Sequence, residues 1–152
     1  MLSTFGAIMG FAAAIVGKSA EIYALAVERA KEPMLKENLQ LLLAEEKKNC
    51  ALMEQARREN VTEMILEPVS GLRREDYETD VSLSEDAADG DFLKMALMLE
   101  EREQKFFHEA SGKMPLPEVV RIFRKVAQKK EKNLMKLKSL GLEQALKGVS
   151  KI

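Results

Sequence analysis

Apolar residues recur along this chain at alternating steps of three and four, which is the spacing of one face of an α-helix. The pattern predicts helices at about residues 4–30, 33–59, 91–111 and 117–139. Pro33 and Pro117 then fall in first turns, where a missing backbone N–H costs nothing. Gly112 and Gly141 are expected to end the third and fourth helices in the left-handed conformation.

The two halves of the chain match each other without a gap at an offset of 84 residues, so that Asn49 corresponds to Asn133. This match indicates an internal duplication. Each half is a pair of helices with a short join, which predicts two antiparallel hairpins at about 4–59 and 91–139. A chain of 152 residues fits a single domain that holds both hairpins.

An acidic, Pro- and Gly-containing segment at about 60–90 separates the hairpins. It is predicted to be a crossover that returns along the helices and starts the second hairpin in the same sense as the first. The apolar residues Met64-Ile65-Leu66 are expected to anchor it. In the tail, 140–152, residues Leu142 to Lys147 are expected to form a short C-terminal helix on the end of the bundle.

Polar residues interrupt the apolar face of three helices near its middle, whereas the first helix stays uncharged there. The residues at these positions are Val16 and Ser19, then Glu46 and Asn49, then Glu100 and Glu103, then Lys130 and Asn133. If the four faces meet at one level, three carboxylates and one ammonium group converge in an apolar core. Glu103 is expected to turn to the bundle edge, where a charge is cheap. The others coincide at the 84-residue offset, which favours burial in pairs because polar residues are seldom buried alone.

Both hairpins resemble the repeat of the rubrerythrin and ferritin-like di-iron carboxylate proteins. That repeat has Ala-x-x-x-Glu-x-x-Ala-x-x-Phe-Tyr on its first helix and Phe-x-x-Leu-Ala-x-x-Glu-x-x-His on its second. The first helices here read Ala12-x-x-x-Val16-x-x-Ser19-x-x-Ile22-Tyr23 and Ala96-x-x-x-Glu100-x-x-Glu103-x-x-Phe106-Phe107. The second helices read Leu39-x-x-Leu42-Leu43-x-x-Glu46-x-x-Asn49 and Phe123-x-x-Val126-Ala127-x-x-Lys130-x-x-Asn133. The resemblance implies an all-α fold, a ferritin-like four-helix bundle.

The resemblance also implies where two irons would bind, and there the ligands differ. In the family, a glutamate on each first helix and a Glu-x-x-His on each second helix bind the metals. Of the six ligands, Glu46 and Glu100 remain. The replacements are Val16 and Lys130 for glutamates, and Asn49 and Asn133 for histidines. An ammonium group has no lone pair and repels a cation, so we expect no metal cofactor and a bridge from Lys130 to both glutamates.

These features favour a non-enzymatic binding or structural protein that keeps the fold of the family without its irons. No nucleophile–base pair, phosphate loop or nucleotide fingerprint is present, so no catalytic residue is predicted. The alternative is a residual metal-binding protein or rubrerythrin-like oxidoreductase that uses Glu46, Glu100 and Glu103. Its cofactor would be iron or another divalent metal, and oxygen-only ligands favour Mg²⁺, Ca²⁺ or Mn²⁺ over iron.

Charge and composition restrict the classes of partner. The net charge is −1, and the basic face of the fourth helix is offset by acidic segments, so nucleic-acid binding is not expected. The apolar run Phe5 to Val16 is predicted to be a buried helix and not a membrane span. A single cysteine, Cys50, predicted to be a buried thiol, suits a cytoplasmic location.

Small residues line one face of the first helix at Gly6, Gly10, Ala13 and Gly17. Such residues let a second helix approach closely, which predicts a homo-oligomer or a protein partner at this face. His108, the only histidine of the chain, is expected to be exposed.

Overall fold

The computed structural model of the protein describes residues 1–59, 67–78 and 81–150, with side chains described through residue 145. Most of this part of the chain belongs to four long helices, α1 (Phe5–Arg29), α2 (Pro33–Glu59), α3 (Asp89–Ser111) and α4 (Pro117–Ser150). The predicted all-α class is confirmed. The predicted bounds of the first three helices are confirmed to within two residues, and Pro33 and Pro117 begin their helices as expected.

Helix α4 continues through Gly141 to Ser150, so the predicted helix end at Gly141 and the separate short helix in the tail are both wrong. A Cβ atom at Gly141 would lie 3.2 Å from Leu93 Cδ2, and the glycine therefore permits a close approach of α3. Gly112 does cap α3, but with a right-handed φ of −75°. No residue in the described ranges has a positive φ, so the left-handed prediction is wrong for both glycines.

Two short strands that the sequence pattern did not predict join the start of the chain to the crossover. Strand β1 (Leu2–Thr4) pairs antiparallel with β2 (Pro68–Leu72), and Leu2 lies opposite Leu72. At the far end of α1, Arg29 Nη2 donates to the carbonyl oxygens of Ser84 and Glu85 at 2.6 and 2.9 Å. The crossover therefore passes along the full length of α1. Its predicted anchor, residues 64–66, lies outside the described residues.

The second hairpin runs in the opposite sense to the first, which corrects the expected orientation. Near the start of α1, Phe11 packs on Phe106 with ring centroids 5.2 Å apart, whereas further along α1 Tyr23 bonds to Glu100. Helix α3 is thus antiparallel to α1. The reason is that the crossover carries the chain to the end of the bundle where α1 finishes, and α3 has to start there.

The core consists of two apolar clusters at the two ends of the bundle. One contains aromatic rings of the β1 end, among them Phe5, Phe11, Phe106, Phe107 and Phe123. The other contains residues of the opposite end, among them Ile22, Leu35, Leu39, Phe92 and Leu137. The eight positions that the sequence places at the middle of the four helix faces are all buried except Asn49, which is half-buried. The polar residues of those faces lie between the two clusters.

Helix α1 is long and apolar enough, by length and composition, to cross a membrane. Ten of its residues are buried against the rest of the protein. In this structure its apolar face therefore forms the bundle core.

Candidate functional site

A group of buried polar side chains occupies the level between the two apolar clusters, and all four helices contribute to it. Its members are Ser19 and Tyr23 from α1, Glu46 from α2, Glu100 and Glu103 from α3, and Lys130 and Asn133 from α4. We call this group the polar cluster. Helical spacing brings them together because each lies on the buried face of its own helix at the same height.

Lys130 lies at the centre of the polar cluster. Its Nζ atom is 2.5 Å from Glu46 Oε1, 3.0 Å from Glu100 Oε2 and 3.8 Å from Glu103 Oε1. The side chains of Lys130, Glu46 and Glu100 have no exposed surface. The bridge that the sequence predicts from Lys130 to two glutamates is present.

Amide and hydroxyl donors add further contacts to Glu46 and Glu100. Asn133 Nδ2 donates to Glu100 Oε1 at 2.8 Å and also reaches Glu45 Oε1 at 2.9 Å. Tyr23 donates to Glu100 Oε2 at 2.8 Å. Asn49 lies at the half-buried edge of the polar cluster and donates to Glu46 Oε1 at 3.1 Å. Both asparagines therefore donate to carboxylates that Lys130 also contacts.

Glu103 is buried at 2% exposure, so its expected position at the bundle edge is wrong. Two contacts offset the cost of burial. Ser19 Oγ donates to Glu103 Oε2 at 3.0 Å, and the Lys130 ammonium lies near the other oxygen. Val16 is fully buried in the apolar cluster of the β1 end and adds no polar group.

Two contacts in the polar cluster join positions that are equivalent in the two halves of the chain. Ser19 and Glu103 are 84 residues apart, and so are Glu46 and Lys130. Equivalent positions of two copies touch each other only near the axis that relates the copies. The polar cluster therefore marks the centre of the duplicated fold. Ser19 was not among the predicted site residues, and its match with Glu103 at the repeat offset is the signal that could have found it.

Burial and charge act against each other on the ionisable groups of the polar cluster. Burial raises the pKa of Glu103 well above its usual range, although Lys130 acts in the opposite direction. Burial also raises the pKa of Glu100, with Lys130 again opposing it. For Lys130, burial alone would lower the pKa, but the three carboxylates outweigh it and raise the pKa above the usual value. Lys130 is therefore a cation, and Glu103 keeps its proton to higher pH than a free carboxyl group does.

Two buried oxygens of the polar cluster, Glu46 Oε2 and Glu103 Oε1, have no hydrogen-bond donor among the described residues. Both belong to carboxyl groups with oxygens that lie within 4.8 Å of each other. A proton held on Glu103 and directed at Glu46 would satisfy both atoms at once. Such a proton also relieves the repulsion between two buried carboxylates.

The donor set does not fit a di-iron centre. Glu46, Glu100 and Glu103 each bring an oxygen within 4.8 Å of the others, as a metal would require. However, Lys130 already makes the contacts to these oxygens that a cation would make, and an ammonium group supplies no lone pair. The chain's single histidine, His108, is exposed as predicted, so imidazole is absent from the polar cluster.

Cys50 is half-buried, not fully buried as predicted, and its Sγ lies 3.9 Å from Glu54 Oε1. Burial, with the nearby Glu54, raises the pKa of the thiol. The thiol is thus not activated as a nucleophile or metal ligand. A shift of α2 by one residue would place Lys47 and Cys50 in the positions of Glu46 and Asn49. Lys47 is exposed and Glu46 is buried, so α2 does not have this shifted register.

Comparisons of the chain with protein-family models, with curated protein sequences and with solved structures gave no match. The resemblance to the rubrerythrin repeat therefore rests on the motif residues of the two hairpins and on the polar cluster to which both hairpins contribute.

Proposed function

We propose that the protein is a ferritin-like, rubrerythrin-like bundle in which a lysine–glutamate–asparagine cluster takes the place of the metals, and that it acts as a non-enzymatic binding or structural protein. The observation that carries the proposal is the contact of Lys130 Nζ with two buried glutamates, at 2.5 and 3.0 Å. The ammonium group supplies the positive charge that the carboxylates would otherwise take from a metal. The protein then has a buried core of fixed polar geometry without an open coordination position.

The experiment is a titration of the protein with Mn²⁺ and with Fe²⁺ under anaerobic conditions, followed by calorimetry and by thermal unfolding. We expect the wild-type protein to show neither binding heat nor a metal-dependent rise of the unfolding midpoint. Lys130→Glu removes the cation and adds a fourth carboxylate, so we expect this variant to be stabilised by either metal. Lys129→Glu, at the exposed neighbouring position, is the matched control and should behave as the wild type.

Two results would contradict the proposal. One is stoichiometric metal binding by the wild-type protein. The other is a Lys130→Glu variant that, folded or marginally folded, gains nothing from either metal, because Lys130 would then not be the group that excludes it.

A second candidate is a residual metal-binding or oxidoreductase function that uses Glu46, Glu100 and Glu103. The observation in its favour is the convergence of three carboxylate oxygens within 4.8 Å. Its ligands are all oxygens, which favours Mg²⁺, Ca²⁺ or Mn²⁺. The metal would have to displace Lys130, so binding should be accompanied by a rearrangement of α4 and by a Mn²⁺ response of the wild-type protein in the titration above.

The small-residue face of α1 remains the proposed contact for a second copy or a protein partner. A Cβ atom added at Gly10 would meet nothing within 4 Å, so this part of the face is open. Gly17 instead lies near Cys50, whose Sγ would be 3.8 Å from an added Cβ atom, and it therefore packs toward α2. Size-exclusion chromatography across a range of concentrations tests this contact, and Gly10→Trp should keep the protein monomeric.

A further inference from the structure

A cleft of about 530 Å³ lies between α1, α3 and the crossover residues Arg74 to Glu78. This volume is within the range of sites that hold small molecules. The cleft borders the polar cluster at Ser19 and Glu103, and its other lining residues lie outside that cluster. Its wall is apolar and its rim carries cations, which together favour a ligand with a hydrocarbon part and an anionic part.

The wall of the cleft is apolar. Phe11, Ile15 and Ile22 line it from α1, and Leu99 lines it from α3. Phe11 is held in place by Phe106, with ring centroids 5.2 Å apart. A fixed apolar wall favours a hydrocarbon body, because burying apolar surface is favourable in proportion to its area.

Cations from three separate elements line the same cleft. Lys18 comes from α1, Arg74 from the crossover and Arg102 from α3. Arg102 Nη1 donates to the carbonyl oxygen of Glu78 at 2.9 Å, which fixes the position of its guanidinium group. Arg74 lies over the Phe11 ring at 5.4 Å, so one guanidinium group borders both the apolar wall and solvent.

The acidic groups that face the cleft do not cancel these cations. Glu78 is exposed and lies 3.8 Å from Arg74. Glu103 lies at the floor, where it accepts from Ser19 and is near Lys130. Tyr77 is neutral, since burial and Glu109 raise its pKa to about 12. Among the residues that the structure describes around the cleft, three cations therefore face one exposed carboxylate.

We propose that this cleft binds a small anionic amphiphile, with a carboxylate or phosphate head at Lys18, Arg74 and Arg102 and a hydrocarbon body along Phe11, Ile15, Ile22 and Leu99. The head stays at the rim because the floor already carries Glu103. The body fills the cleft between the two helices.

The test is calorimetric titration of the whole protein with decanoate, decanol and acetate, each below its aggregation limit. Decanoate carries both parts of the ligand, whereas decanol lacks the charge and acetate lacks the body. We expect saturable binding of decanoate at one site, at least about tenfold tighter than that of either comparison compound, because charge-assisted contacts and apolar burial each contribute about a factor of ten or more. Decyl phosphate should bind in the same way.

Variants locate the site. Lys18→Gln combined with Arg74→Gln should weaken decanoate binding by about tenfold or more and leave decanol unaffected. The matched control is Arg121→Gln with Lys125→Gln, which removes two cations from a separate pocket on α4. Ile15→Ser should weaken decanoate and decanol alike, since it removes part of the wall that both would use.

Three outcomes would overturn the proposal: no saturable decanoate binding, equal binding of decanoate and decanol, or equal weakening by the cleft and control variants. Sedimentation with vesicles of an anionic phospholipid separates a free amphiphile from one presented by a membrane. We expect the protein to stay in the supernatant, because the cleft is recessed between two helices. Sedimentation that the cleft variant abolishes would assign the cations to a lipid surface instead.

Discussion

Lys130 is a fully buried cation with three carboxylates around it. Replacing it by methionine keeps most of the side-chain volume and removes the charge. We expect Lys130→Met to lower the free energy of unfolding by about 3 to 5 kcal/mol at neutral pH, because it leaves buried carboxylates without their partner. Urea unfolding measures this loss. Lys129→Met is the control at an exposed position, and a loss below about 1 kcal/mol in Lys130→Met would show that the ammonium group does not hold the polar cluster together.

The raised pKa of Glu103 makes the free energy of unfolding depend on pH. In the unfolded chain its pKa is near the ordinary 4.5, whereas the folded protein holds the proton to higher pH. The stabilisation is thus fully present below the unfolded pKa and is lost as pH rises through the folded pKa. We expect the free energy of unfolding to fall as the pH rises above the ordinary value of 4.5, by up to about 1.4 kcal/mol per pH unit for each retained proton.

The variant Glu103→Gln imitates the protonated carboxyl group and should flatten this slope. Lys130 adds no slope in this range, because its contribution is lost only above its ordinary pKa of 10.5. Glu100 has a raised pKa and acts in the same direction as Glu103, so some slope should remain. Glu101→Gln, on the exposed side of α3, is the control. Identical slopes in Glu103→Gln and the wild type would show that Glu103 is ionised.

The residues of the polar cluster could be predicted from the sequence to different degrees. Glu46, Glu100 and Lys130 follow from helical spacing and from the family resemblance, and their contact is present. The position of Glu103 could not be predicted from its own helix, because a carboxylate on a broad apolar face is stable inward only with a donor opposite. That donor is Ser19 of α1, which precedes Glu103 by 84 residues in the chain. The structure shows this pairing directly, whereas in the sequence only the match of Ser19 with Glu103 at the repeat offset indicates it.

At the scale of elements, the helices follow from local pattern while the strands do not. Strand β1 (Leu2–Thr4) has three residues, which are too few to show a period. Its partner β2 lies in the crossover, so the whole first hairpin separates the two strands in sequence. The end of α4 was mispredicted for a related reason. A glycine signals a helix end by its backbone freedom, but Gly141 is present because Leu93 of α3 packs close to its Cα.

Gly10 is a position in α1 where a larger residue is expected to stabilise the protein. It lies inside the helix, and an added Cβ atom would meet nothing within 4 Å. We expect Gly10→Ala to raise the free energy of unfolding by about 0.5 to 1 kcal/mol, since alanine loses less backbone entropy in a helix. Gly141→Ala should gain less, because its Cβ would be 3.2 Å from Leu93. Denaturant unfolding at a concentration where the protein is monomeric measures both, and a loss of stability in Gly10→Ala would contradict the prediction.

At the scale of the whole molecule, the polar cluster separates two apolar clusters and lies where the duplicated halves meet. A one-turn slip of α2, α3 or α4 would place a charge against an apolar end, where it costs several kcal/mol. We infer that the polar cluster defines the register of the four helices more than it adds to stability. The same arrangement accounts for the burial of three glutamates at the centre of the bundle.

The most direct test of the central claim is the metal content of the wild-type protein, produced in iron-rich medium and purified without chelators. Elemental analysis with a visible absorption spectrum gives the number of irons per chain and reveals an iron-oxo centre. The account predicts no stoichiometric metal and no such absorption, because Lys130 holds the carboxylates. A content near two irons per chain would contradict it.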